Sequence, residues 1–313
     1  MPSSVTRRDP SAGSTIRPSA RRQRQASLPG LLVPVLACLG AALAALLPMR
    51  AAACGTAETV CTVEGGEYRL VLPASGEGPA PALLYLHGWG ASPAGVLSGR
   101  GAMVDRALAR GYAVVLPQGL PRAGRTQRDW DVSDGRPHPR DDVPFLAAVL
   151  DDAAGRGIDR DRVLMAGFSR GGSMVWDAFC RMPGLAAAYA PVAGAFWVPG
   201  VEGGCADGRL AVWHVHGWGD RVVPIEGRPI GTILLQGDVF DSLATLRTHL
   251  GCDARQPDTA EAGATPRWTR SWTGCQRGRI DLTLHPGGHT VPEGWTEEAL
   301  DWFEARLSET ATR

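Results

Sequence analysis

The chain contains no lysine and no asparagine, so all 32 of its basic residues are arginine. Those two absences exclude several chemistries. A Ser-Lys dyad, a Schiff-base lysine and a Cys-His-Asn triad all need a residue the chain does not have. N-glycosylation is excluded with them, because it requires an asparagine acceptor. Charge of one sign is also lacking, since 32 arginines face 32 acidic residues. Compositionally biased tracts are confined to the first fifty residues and to the stretch 120–140, and no internal repeat is visible. A chain of 313 residues with 44% hydrophobic and 20% charged residues can bury a full core, and one domain over 54–313 is the expectation.

The first fifty residues differ from the rest. Arg7, Arg8, Arg17, Arg21, Arg22 and Arg24 precede the apolar run Leu31 to Leu47, which ends near Ala51-Ala52-Ala53. That is the basic, apolar, small-residue order of a secretory signal, so residues 1–53 are expected to be cleaved and the rest exported, periplasmic or extracellular. The run contains Pro34 and Gly40 and is shorter than the roughly 20 residues a spanning helix needs, so stable membrane insertion is not expected. The Arg21-Arg22 pair hints at a twin-arginine route, although the residues after the pair match such a signal poorly.

Removing the leader leaves 25 arginines against 31 acidic residues, which makes nucleic acid an unsuitable partner. It also leaves six cysteines, an even number in an exported chain and therefore a disulfide signal. Of the roughly 15 connectivities six cysteines permit, order along the chain favours Cys54-Cys61, Cys180-Cys205 and Cys252-Cys275. A lipid anchor on Cys54 is a further reading, weakened because Ala51 stands where a lipoprotein signal carries Leu.

Apolar runs at Ala82–Leu86, Tyr112–Leu116, Val163–Phe168, Ala188–Ala193, Leu210–Val215 and Ile280–Leu284 have the length and composition of buried strands. A half-exposed strand is expected at Tyr68–Leu72. Helical spacing falls between them, at Met103–Arg110, from the Asp141-Asp142 pair to Gly155, after Gly171, at Phe240–Leu250 and at Glu297–Leu307. Strands alternating with helices in this way predict an α/β fold with a mostly parallel central sheet covered on both faces. Functional residues of such a sheet gather at the carboxyl ends of its strands. The segment Leu120–Arg140, rich in Pro, Arg, Gly and Asp and without a period, reads as a long surface loop.

Gly167-Phe168-Ser169-Arg170-Gly171 matches G-x-S-x-G, in which small residues let a strand turn sharply into a helix and hold the serine hydroxyl clear of the sheet. In a chain with 40 glycines the pentapeptide alone is weak evidence. The apolar run before it and the helix formers after it give it weight. His87-Gly88-Trp89-Gly90 comes after an earlier strand, where the loop donating a second oxyanion-hole N–H would lie, so Trp89 and Arg170 are the candidate backbone donors. The acid and base should come later in the order Ser, acid, His. Asp220, in His216-Gly217-Trp218-Gly219-Asp220 after a strand, is the acid by position, with Asp238 and Asp241 as rivals. His289, on the turn Pro286-Gly287-Gly288-His289 after the last strand, is the base, with His285 as rival. His214 and His216 share a strand face, but two histidines without a third ligand are a weak metal signal, and no metal or cofactor is expected. Trp89, Trp197 and Trp218, three of ten tryptophans, stand beside these segments and are candidate walls of a substrate cleft.

Taken together, HGWG, GFSRGGSMVW, HGWGDRVVP and HPGGHTVPEGW, in that order over essentially the whole of 54–313, resemble the polyhydroxybutyrate depolymerase-like and feruloyl-esterase-like secreted α/β-hydrolases. The resemblance implies the α/β-hydrolase fold, an ester substrate, Ser169, Asp220 and His289 as a triad, and Trp89 with Arg170 as oxyanion donors. Members of that family act on polyester, aryl ester and acetyl ester alike. No separate substrate-binding domain is visible, which favours short hydroxyalkanoate oligomers and small or aryl esters over insoluble polymer. Feruloyl or acetyl-xylan esterase, a peptidase or thioesterase on the same scaffold, and a non-catalytic binding module are the competing readings.

Overall fold

The computed structural model describes residues 54, 56–74, 76–252, 257, 259–262 and 267–311. The leader and signal expected over 1–53 lie outside the described residues. The chain opens with β1 (Cys61–Val63), β2 (Gly66–Val71) and β3 (Ala80–Leu86), then α1 (Pro93–Gly99), α2 (Gly101–Ala109) and β4 (Ala113–Pro117). Two short strands, β5 (Leu120–Pro121) and β6 (Arg128–Asp129), precede α3 (Asp142–Ala154), β7 (Ile158–Phe168) and α4 (Arg170–Arg181). Next come β8 (Ala188–Val192), β9 (Trp197–Val198), β10 (Leu210–Gly217), β11 (Arg228–Ile230), β12 (Leu234–Gln236) and α5 (Val239–Leu250). β13 (Thr259–Ala262), β14 (Trp268–Cys275), β15 (Gly278–His285) and α6 (Trp295–Ala311) complete it.

Ten strands form one sheet in the order β1-β2-β4-β3-β7-β8-β10-β15-β14-β13. The six from β4 to β15 are parallel, and antiparallel strands flank them on both sides. Side-chain alternation divides the core in two, as a pleated strand requires. Ala82, Leu84 and Leu86 of β3 pack with α3, α4 and α5, while Leu83 and Tyr85 pack with α1, α2 and α6. Both faces are therefore covered, which is why the parallel strands read as continuous apolar runs rather than alternating ones.

Helix ends obey local chemistry. Asp141 caps α3 by accepting from the Val143 N–H at 3.1 Å. Asp238, a rival for the triad acid, is occupied in the same way at α5, accepting from Phe240 and Asp241 N–H groups at 2.6 and 3.0 Å. α5 stops at Gly251, which takes the left-handed conformation (φ 65°) that ends a helix without a Cβ penalty.

Two expectations need correction. The segment 120–140 is not a surface loop, because Asp129, Trp130, Val132 and Asp134 are buried. Its arginines and aspartates neutralise one another in the interior, with Arg122 Nε 2.8 Å from Asp129 and Arg136 Nη2 2.6 Å from Asp134, so charge there does not mean solvent. The lipid anchor on Cys54 is excluded because that sulfur is bonded to Cys61. All three disulfides join sequence neighbours among the cysteines: Cys54–Cys61, Cys180–Cys205 and Cys252–Cys275. Three such bonds belong to an oxidising compartment, extracellular or periplasmic. Among the described residues no helix is long and apolar enough to cross a membrane.

Candidate active site

β7 and α4 meet at Ser169, whose backbone sits at φ 58°, ψ −120°, a region that non-glycine residues rarely occupy and that costs on the order of 1–3 kcal/mol. The neighbours of Ser169 have no room for side chains. A Cβ on Gly171 would collide with the carbonyl oxygens of Leu86 and His87, and one on Gly167 with the Gly171 carbonyl. The turn is pinned by the Ser169 N–H, which donates to Val192 O at 2.9 Å. Sharpness here is therefore a matter of packing against β3, and it lifts the serine hydroxyl off the carboxyl edge of the sheet.

Asp220 and His289 reach the same point from β10 and β15. The Trp218 N–H donates to His285 O at 2.7 Å and the Gly219 N–H to Gly287 O at 3.0 Å, so the two loops run against each other. A Cβ on Gly217 would strike the carbonyls of Gly288 and Gly287. His289 Nδ1 lies 2.7 Å from Asp220 Oδ2, and its Nε2 lies 2.9 Å from Ser169 Oγ. Since a carboxylate only accepts, Nδ1 carries the proton and Nε2 is left to accept from the serine hydroxyl. The other oxygen of Asp220 accepts the N–H groups of Val222 and Val223, both at 2.8 Å. Burial alone would raise the Asp220 carboxyl. The hydrogen bonds from His289 and from those two N–H groups outweigh it and hold the carboxyl below its ordinary value. A histidine oriented in this way can take a proton from Ser169 and be stabilised as an imidazolium.

His285 is the last residue of β15, and its Nδ1 accepts the Gly287 N–H at 3.2 Å. His214 and His216 bond to each other at 3.0 Å, and the far nitrogen of His216 bonds to Val223 O at 2.8 Å. Burial pushes both imidazoles down, so they are neutral supports beneath the Asp220 loop.

Gly88 abuts the serine, since a Cβ placed on it would sit 3.5 Å from Ser169 Cβ, and Trp89 is the next residue along the chain. Arg170 is the first residue of α4, where N–H groups have no acceptor within the helix. Of the three tryptophans, Trp89 (61% exposed) and Trp218 (64%) are open to solvent. Trp197 is 6% exposed, donates to Ser173 Oγ at 3.2 Å and lies under the Arg170 guanidinium at 4.4 Å. It lines a cavity of about 470 Å³ whose wall includes Glu226 and Asp238 but no member of the Ser169–His289–Asp220 set. One neighbour of the serine is not anticipated by its sequence context: the ring of Phe168 lies 4.6 Å from that of His289, centroid to centroid. Its one signal is the position of Phe beside the serine in the pentapeptide.

No family profile matches the chain. It is 31% identical over 245 residues to "Putative esterase NocK" of Nocardia uniformis subsp. tsuyamanensis, an alignment covering 71% of this chain and 68% of that protein. The chain belongs to that esterase family. A second relative of this esterase is the bifunctional acetylxylan esterase/xylanase XynS20E of Neocallimastix patriciarum, 28% identical over 161 residues, 51% of the chain and 22% of that protein. Among solved structures, the acetyl xylan esterase from Aspergillus awamori superposes with a TM-score of 0.57 at 16% identity, covering 76% of this chain and 93% of that one. Arabidopsis thaliana SOBER1 superposes at 0.50 and 18% identity, with 72% and 99% coverage. These likenesses give the esterase an α/β-hydrolase fold, and its family membership makes it a hydrolase of carboxylic esters.

Proposed function

We propose that the esterase is an exported serine hydrolase that works through an acyl-enzyme on Ser169, with His289 as general base and acid, Asp220 as the orienting carboxylate, and the Trp89 and Arg170 N–H groups as the oxyanion hole. The observation that carries this reading is the unbroken path from Asp220 Oδ2 through both nitrogens of His289 to Ser169 Oγ. Ser169 Oγ attacks the ester carbonyl while its proton passes to His289 Nε2, and the negative oxygen that results accepts the two backbone N–H groups. Collapse expels the alcohol, which takes the proton from His289. Water then enters, gives a proton to His289 and attacks the acyl carbon, and the bond to Ser169 Oγ breaks as His289 returns that proton to Oγ and the acid leaves.

Short hydroxyalkanoate oligomers and small or aryl esters are the substrates this reading favours, with exposed Trp89 and Trp218 offering flat apolar surface to either. An acetyl ester on a xylan-like sugar is the second reading, supported by the acetylxylan esterase among the relatives. Ser169→Ala should lower p-nitrophenyl acetate turnover on the order of 10⁶-fold with folding intact. Wild-type turnover in that variant would overturn the mechanism. A panel of 3-hydroxybutyrate oligomers, methyl ferulate and acetylated xylo-oligosaccharides, ranked by kcat/KM, separates the two substrate readings.

A further inference from the structure

Arg170 is proposed above as a donor through its backbone alone, yet its side chain is buried and tightly held. Its Nε lies 2.6 Å from Asp129 Oδ1 and its Nη2 2.5 Å from Asp134 Oδ2. The loop carrying Trp89 is tied to the same segment. The indole N–H of Trp130 donates to His87 O at 2.8 Å, and the Gly90 N–H donates to Arg128 O at 2.8 Å. His87 is itself fixed, with Nδ1 bonded to Gly88 O at 2.8 Å and Nε2 accepting the Gly119 N–H at 3.1 Å. Asp129 and Trp130 are adjacent and locked to each other, because Asp129 Oδ1 also accepts the Trp130 N–H at 2.8 Å.

We propose that the dipeptide Asp129-Trp130 sets the separation and direction of the two oxyanion-hole donors, Asp129 acting through the Arg170 side chain and Trp130 through the His87–Gly90 loop. The proposal rests on the acyl-enzyme reading above. Both residues are positioning residues, since neither touches the serine. A buried ion cluster is a weak stabiliser, because the lost hydration offsets much of the attraction. What a guanidinium held by two carboxylates supplies is direction. Donors of a developing oxyanion must be in place before the reaction, so an arrangement that fixes both from one rigid point serves the transition state and leaves substrate binding nearly unchanged.

Trp130→Phe removes the bond to His87 O while keeping most of the ring, and Asp129→Asn weakens the hold on Arg170. The readouts are kcat and KM for p-nitrophenyl acetate per titrated active site, and the inhibition constant of phenylboronic acid, whose tetrahedral adduct with Ser169 places an oxygen in the hole. Each variant should lose at least about tenfold in kcat, with KM within about twofold and boronate affinity weakened by a matching factor. Wild-type kcat and boronate affinity in Trp130→Phe, with only the melting temperature lowered, would overturn the proposal, as would a rise in KM alone. If Asp129→Asn does not fold, Trp130→Phe decides the matter by itself. Ser169→Ala run in parallel separates the two levels: full activity there removes the acyl-enzyme reading, whereas an inactive Ser169→Ala beside an unimpaired Trp130→Phe removes only the positioning role.

Discussion

Asp177, two turns along α4 from the serine, gives the sharpest stability prediction. Its Oδ2 accepts both the N–H and the hydroxyl of Ser133, at 2.6 and 2.5 Å, while its Oδ1 is buried without a partner. Burial pushes the carboxyl up from 3.8 to about 6, more than the Ser133 bonds bring it down. Between about pH 4 and about pH 6 the folded protein therefore holds a proton on Asp177 that the unfolded chain has released. For such a group stability is fully present below the unfolded value and is lost as pH rises through the folded one. The raised value corresponds to about 3 kcal/mol in all, of which about 2 kcal/mol falls between about pH 4.5 and about pH 7.5. Asp177→Asn keeps an acceptor for Ser133 and cannot ionise. Urea unfolding of wild type and Asp177→Asn across that range should show the variant gaining about 2 kcal/mol relative to wild type as pH rises. A difference between the two proteins that stays constant with pH would refute the reasoning.

Acid should act in the opposite sense through other groups. Asp129, Asp134 and Asp220 are all held below the ordinary carboxyl value, Asp134 down to about 2, because their arginine, histidine and N–H partners outweigh burial. Stability from these carboxylates is present above about pH 4 and lost as pH falls through the folded values toward about pH 2, so the urea midpoint should drop steeply there; a flat midpoint down to about pH 2 would contradict it. The Cys180–Cys205 bond closes a loop of sequence separation 25 behind α4. Loop-closure entropy puts the cost of replacing both cysteines by alanine at about 3.5 kcal/mol, read from the shift in urea midpoint at constant m, and an unchanged midpoint would refute it.

The parallel strands were legible because strands buried on both faces are unbroken apolar runs, and α3 was legible because Asp141 announces its cap, whereas α1 was not anticipated. Ser169, Asp220 and His289 were legible as candidates because each stands closely after a strand, and position after a strand is a sequence property. Asp238 and His285 have the right residue type in a less suitable place, one leading into a helix and the other ending a strand, and that too was legible. The segment 120–140 was misread for a physical reason. Its charges are compensated pairwise across distances in sequence that leave no period, so nothing local separates a buried ion cluster from a solvated loop. The antiparallel strands β13 and β14 were missed because an edge pair carries polar residues such as Thr269, Arg270 and Ser271 in place of an apolar run. Trp197 was placed by its proximity to a strand end, but its indole turns inward to Ser173.

Covalent labelling decides whether Ser169 is the nucleophile. The purified esterase, treated with diethyl p-nitrophenyl phosphate and digested, should carry one diethylphosphoryl group on the peptide containing Ser169, with ester hydrolysis lost in proportion to labelling. Loss of activity with the label on another residue, or activity retained with Ser169 fully labelled, would rule out Ser169 as the nucleophile.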